Sequence, residues 1–229
     1  LSSLVSAAQA VFTITNSQVD LTGLSNIDGA DFYARGGSVI SLPSVTAATN
    51  IGDTVWEASG IGSQVLLPNL TSFGTGHSIN QDVYVNALGG GVVDLSALTQ
   101  ITDTQTGDLR YRSVRIKAQG DDSVVRLNSL QLLEDRSAGD IDHNDAYNGA
   151  YPFTNESSRL EALNQGTIEL GALVNLVGVY VPLDGSGTID TSTIASLVNS
   201  RIDASTEAID LHVLEDAAGT TFNVNDVNL

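Results

Sequence analysis

Val19-Asp20-Leu21-Thr22-Gly23-Leu24 recurs along the chain as one phrase: a β-branched residue, a variable residue, Leu, two variable residues and an aliphatic. The copies are Ile40-Ser41-Leu42-Pro43-Ser44-Val45, Val65-Leu66-Leu67-Pro68-Asn69-Leu70, Val93-Asp94-Leu95-Ser96-Ala97-Leu98 and Val125-Arg126-Leu127-Asn128-Ser129-Leu130. Ile168-Glu169-Leu170-Gly171-Ala172-Leu173, Ile189-Asp190-Thr191-Ser192-Thr193-Ile194 and Ile209-Asp210-Leu211-His212-Val213-Leu214 follow. From Leu21 the copies are spaced 21, 25, 28, 32, 43, 21 and 20 residues. A unit of about 20 residues with insertions of varying length signals a solenoid, in which units stack and surplus residues leave as loops.

A second phrase, hydrophobic-any-Ala, precedes many copies, as in Phe32-Tyr33-Ala34, Trp56-Glu57-Ala58, Val85-Asn86-Ala87, Ile116-Lys117-Ala118, Leu160-Glu161-Ala162 and Ile202-Asp203-Ala204. Alternation at period two is a strand with one face buried. Between the two phrases lie glycine corners such as Gly36-Gly37-Ser38 and Gly89-Gly90-Gly91, because glycine reaches the positive φ that sharp corners need. After Leu comes a period-three run such as Leu95, Leu98, Ile101. With Pro43 and Pro68 inside this run, it reads as a bent or polyproline-like corner feeding a third short strand.

The expected fold is therefore all-β: a single-stranded parallel β-helix of about nine coils, each roughly 20 residues. Variable insertions favour the right-handed form. One solenoid domain spans 1–229, cut from a longer array, with an insertion loop over 134–158. The ends are expected to leave strand fragments, Leu1–Leu4 and Val227–Leu229, that stack on neighbouring repeats or on another copy. A leucine-rich horseshoe is the rival, but its L-x-x-L-x-L-x-x-N phrase is missing.

The stretches Phe32-Tyr33-Ala34-Arg35-Gly36-Gly37-Ser38 and Gly37-Ser38-Val39-Ile40-Ser41-Leu42-Pro43-Ser44-Val45-Thr46 resemble units of very large secreted or cell-surface bacterial proteins. Those proteins are adhesin-like repeat arrays. The resemblance covers essentially the whole chain and implies an extracellular, structural or adhesive role. It implies no catalytic residue.

Nine basic residues against 27 acidic ones give a net charge of −18, which disfavours nucleic acid and anionic membrane and favours cations or basic partners. A hydrophobic content of 41% is too high for a disordered acidic tail. Without cysteine there is neither a disulfide framework nor a thiolate metal site. Without methionine or a charged leader, the chain is expected to be processed from a longer one. No run of 18 apolar residues occurs, so no membrane span is expected. His77, His143 and His212 are too far apart in sequence for a local metal motif. G-x-S-x-G is absent, and Lys117, the only lysine, follows Ile116, which excludes a P-loop.

Three groups of side chains are candidate sites. In the insertion, Asp140-x-Asp142-x-Asn144 followed by Asp145 copies the opening ligands of a calcium loop, although Asp145 stands where that loop needs glycine and Tyr151 where it needs glutamate. The expected cofactor, if any, is Ca2+. A basic stripe of Arg110, Tyr111, Arg112, Arg115 and Lys117 suits an acidic polysaccharide, bound through arginine forks. That stripe supports an alternative reading as a polysaccharide-binding or polysaccharide-lyase-like β-helix. A second alternative, an ice-binding or surface-binding solenoid, draws on Thr13/Thr15, Thr99/Thr102 and Thr191/Thr193. Finally, the variable residue of the repeat forms a column in which Glu169, Asp190 and Asp210 fall on consecutive coils. Carboxylates that close should raise one another's pKa or recruit a cation.

Overall fold

The computed structural model describes residues 1–103, 106–108, 110–136, 157–205 and 209–225. In it each copy of the repeat divides in two. The first half is a strand: β2 (Gln18–Asp20), β4 (Val39–Ser41), β7 (Gln64–Leu66), β10 (Val92–Asp94), β13 (Val124–Arg126), β16 (Thr167–Glu169) and β19 (Thr188–Ile189). The second half, L-x-x-L, is a turn closed by the fourth residue's N–H on the first residue's carbonyl. Leu24 donates to Leu21 at 2.9 Å, Leu98 to Leu95 at 3.0 Å and Leu214 to Leu211 at 3.0 Å. Two residues then bulge outward while both leucines point into the core. Pro43 and Pro68 occupy the second turn position, where a fixed φ near −65° fits and no N–H is needed.

Leu4 makes the same bond to Leu1 at 2.9 Å, so Leu1–Leu4 is a turn and not the expected strand. The period-three spacing is the spacing of this turn. The fragment expected at 227–229 lies outside the described residues.

The hydrophobic-any-Ala phrases build a longer set of strands: β1 (Val11–Thr15), β3 (Asp31–Arg35), β6 (Thr54–Ser59), β9 (Val83–Leu88), β12 (Val114–Gln119), β15 (Arg159–Leu163), β18 (Tyr180–Leu183), β21 (Arg201–Ala204) and β22 (Thr221–Val224). After six of the L-x-x-L turns come β5 (Ala47–Thr49), β8 (Ser72–Gly74), β11 (Gln100–Asp103), β14 (Leu132–Asp135), β17 (Asn175–Val177) and β20 (Ser196–Val198). Among the described residues these strands form three sheets of nine, seven and six strands, each stacked in chain order and paired in parallel. The chain is thus an all-β parallel β-solenoid. The described residues include no helix long and apolar enough to cross a membrane.

The core is a bundle of columns running along the axis. Phe32, Trp56, Val85, Ile116, Leu160, Val181 and Ile202 stack in one, and Val19, Ile40, Val65, Val93, Val125, Ile168 and Ile189 in another. Almost all of these side chains are buried. The alanines form a third column, Ala34, Ala58, Ala87, Ala118 and Ala162, against the tight corner into the second sheet. At that corner Ser38, Ser63 and Ser123 are buried. Their hydroxyls accept the N–H groups of Ser17, Gly37 and Gly90 from the preceding coil, at 2.9–3.1 Å. Gly91 holds the same register, and a Cβ there would lie 2.1 Å from the Ala58 carbonyl oxygen.

Candidate functional site

The acidic column lies on the outer face of the second sheet. Asp20, Ser41, Leu66, Asp94, Arg126 and Glu169 are paired in unbroken register. Asp190 follows Ile189, the partner of Ile168, and the Asp210 carbonyl accepts the Thr191 hydroxyl at 2.9 Å, so Glu169, Asp190 and Asp210 follow on neighbouring coils. The carboxylates have a local task. Asp20, Asp94, Asp190 and Asp210 each accept, through Oδ1, the N–H two residues on, at 2.9–3.2 Å. That N–H belongs to the second position of the L-x-x-L turn. Where this position is Pro43 or Pro68, no N–H exists, and the column holds Ser41 or Leu66 instead. The aspartates are turn caps. The Asp210 carboxyl is held below its ordinary value, first by the His212 side chain and then by the His212 N–H, the opposite of the mutual repulsion expected of it.

The basic stripe separates into inward and outward members. Arg112 is completely buried. Its guanidinium pairs with Asp103, and one of its nitrogens donates to the carbonyls of Thr106 and Asp108 at 2.7 and 3.1 Å. Burial holds Arg112 below its ordinary value, only partly offset by the nearby Asp135 charge. It is a core residue, not a surface ligand group. Arg112 stands ahead of β12, beside Ser113, which is buried as well, and it is the ion pair with Asp103 that holds it inward. Arg110 is clamped on Asp108 at 2.6 and 3.0 Å, and Tyr111 takes a positive φ of 54° in the same loop. Only Arg115 and Lys117 of the five lie on the outer face of β12.

Arg112 belongs to a polar seam between the third and first sheets. Thr54 donates to Asn50 at 2.6 Å, Ser113 to Asp82 at 2.7 Å and Ser158 to Asp135 at 2.5 Å. These groups are all buried, and in such a low-dielectric setting each bond is strong and its loss expensive.

Arg115 and Lys117 join residues that the repeat phrases had not marked. On the outer face of the first sheet, Tyr84 pairs with Arg115, Arg115 with Arg159, Arg159 with Tyr180, and Tyr180 with Arg201. This ladder of rings and guanidiniums spans five consecutive strands. Arg115 lies over the Tyr84 ring at 5.2 Å, and Arg159 and Arg201 flank the Tyr180 ring at 5.3 and 5.2 Å, within the range of cation–π attraction. Alongside runs a second column. Glu161 sits 3.5 Å from both Lys117 and Arg159, and Asp203 accepts from Arg201 at 2.6 and 2.8 Å, Asn223 at 2.7 Å and Tyr180 at 2.9 Å. Burial raises the Asp203 carboxyl, but these hydrogen bonds outweigh it and hold the group below its ordinary value. Burial and Asp82 push the Tyr84 phenol up to about 12. The ladder ends in a cleft of about 650 Å³ lined by Tyr180, Pro182, Arg201, Asp203, Phe222 and Asn223.

No protein-family model, curated protein or solved structure matches the chain.

Asp140, Asp142, Asn144 and Asp145 lie outside the described residues. Among the described residues, no group of three or more His, Asp or Glu side chains is placed to hold a metal ion. The threonines of the ice-binding alternative occupy different places: Thr13 and Thr15 on β1, Thr102 on β11, and Thr191 buried in a turn. A signal for the aromatic–arginine ladder does exist in the sequence. Tyr84, Arg115, Arg159 and Arg201 each stand three residues before the alanine of their coil.

Proposed function

We propose that the chain is a non-enzymatic structural or adhesive segment of an extracellular bacterial repeat protein, in which coils of one type stack end to end. The likeness of its outermost coils to each other supports this most directly. Leu1, Leu4, Ala7, Ala10, Phe12 and Ile14 align with Leu21, Leu24, Ile27, Ala30, Phe32 and Ala34, and with Leu211, Leu214, Ala217, Thr220, Phe222 and Val224. The first two of these coils show how such a pair stacks, with five residues in register and the Phe12 and Phe32 rings parallel at 5.3 Å. The outer strands β1 and β22 meanwhile expose Val11 and Phe222. Edge strands of this kind recruit further strands.

Sedimentation velocity tests the proposal. The purified chain should form elongated oligomers as its concentration rises, and Phe222→Lys should return it to monomer. A monomer at every concentration would remove the stacking reading. Calcium binding through Asp140, Asp142, Asn144 and Asp145 remains part of the proposal as a stabilising accessory, because binding to the folded state alone raises its stability. Melting curves that coincide in calcium and in chelator would dismiss it.

A further inference from the structure

We infer that the outer face of the first sheet is a binding track for an anionic polysaccharide of the polyuronate kind. Arg115 and Arg159 face the acid groups, and the cleft beside Tyr180 and Asp203 takes one sugar unit. This deepens the adhesive side of the reading above and rests on it, but it draws on a different surface.

Charge placement is the first support. Among the described residues, Arg35, Arg115, Lys117, Arg159 and Arg201 lie on this one face, five of the nine basic residues in a chain of net charge −18. From β12 to β21 the outward strand positions carry four cations against Glu161 and Asp203. Three coil steps separate Arg115 from Arg201, roughly 15 Å. The Debye length at physiological salt is about 8 Å, so a ligand lying along the track meets the local cations before the distant acidic faces.

The second support is preorganisation. Guanidiniums held against tyrosine rings keep their planes fixed, which reduces the entropy lost when a fork engages a carboxylate. Arg115 and Arg159 are direct register partners on adjacent coils, about 4.8 Å apart along the axis, an interval of the same order as one sugar of an extended chain. Nucleic acid offers anions as well, but its dense phosphate charge is opposed by the whole molecule's field. The third support is the cleft. Tyr180 supplies ring surface, and the Asp203 carboxylate, Arg201 and Asn223 supply the planar polar groups that sugar hydroxyls engage.

Isothermal titration calorimetry at physiological ionic strength with oligogalacturonate, its methyl ester and a neutral β-glucan oligomer tests the track. The acid oligomer should bind, and the ester and the glucan should bind at least about tenfold more weakly. Arg115→Gln with Arg159→Gln should weaken the acid oligomer by a similar factor, whereas Arg126→Gln on the second sheet should leave it unchanged. Failure of the acid oligomer to bind, equal binding of the ester, or indifference to the double variant overturns the track. Should the double variant misfold by circular dichroism, the ester comparison on the unaltered chain decides. Sedimentation of the same samples reads stacking separately, so loss of the track and loss of the end-to-end reading are distinguished.

Discussion

Asp190 shows how one residue can be acidic for a local reason. Its carboxylate closes the turn onto the Ser192 N–H at 2.9 Å, and asparagine offers the same acceptor without the charge. Asp190→Asn should therefore leave stability in denaturant nearly unchanged, while Asp190→Ala should cost about 0.5–1 kcal/mol, the scale of a lost side-chain cap. Equal losses in both variants would mean that the charge itself matters and would return the column to the role of a cation site. Arg112 shows the converse. Its spacing from Arg110 and Arg115 suggested a surface stripe, yet it turns into the core ahead of β12 to meet Asp103. Removing one partner of a buried pair strands the other, at about 3–5 kcal/mol. Arg112→Met should accordingly unfold the coils around β11 and β12 at markedly lower denaturant. Nothing local marked Arg112 as inward, because Arg112 and Ser113 are both buried ahead of β12 and the partner Asp103 lies nine residues back on β11.

At the scale of the element, corner and strand carry different degrees of legibility. The glycine corners were readable because a sharp reversal needs glycine. The reason for Gly91 in particular was not, since it lies in the preceding coil: a Cβ would meet the Ala58 carbonyl oxygen at 2.1 Å. Gly91→Ala should cost about 2 kcal/mol through overpacking, measured by urea unfolding. The aromatic–arginine ladder was hidden by insertions, which separate Tyr84, Arg115 and Arg159 by 31 and 44 residues although the strands adjoin. Tyr180 was hidden further because Leu183 replaces the marker alanine of its coil. The ladder has a titration signature. With the Tyr84 phenol raised from 10.0 to about 12, the native chain keeps a proton that the unfolded chain gives up between those values. The native state then binds more protons, so this contribution is complete below pH 10 and declines as pH climbs toward 12. Burial raises Tyr33 and Tyr180 as well, so phenolate absorbance should show several late tyrosines, the latest of which Tyr84→Phe removes. A latest-titrating phase left unchanged in that variant would place the largest shift on another ring.

For the whole molecule, stability follows from stacking. Each coil touches only its neighbours, so the solenoid behaves as a line of coupled units whose weakest junction opens first. The period exposed this line, and with it the fold, but not where the line is weak. In the first sheet, β6 and β9 share six residue pairs, as do β9 and β12, whereas β15 and β18 share the single pair Arg159 and Tyr180. Chemistry accounts for the gap. The Tyr180 N–H reaches back to the Ser158 carbonyl at 2.9 Å, and the next N–H in line toward β15 would belong to residue 182, which is proline and has none. Toward β21 the pairing resumes over four residues. Amide hydrogen exchange should therefore show a step, with β6, β9 and β12 more protected than β18, β21 and β22. Pro182→Thr should lessen the step by supplying the missing donor on a strand-forming residue. It should do so without altering protection in β6 or β9, because nearest-neighbour coupling confines the gain. Uniform protection along the solenoid, or a step that ignores Pro182→Thr, would show that the coils unfold as a single unit and that this junction is no weaker than the rest.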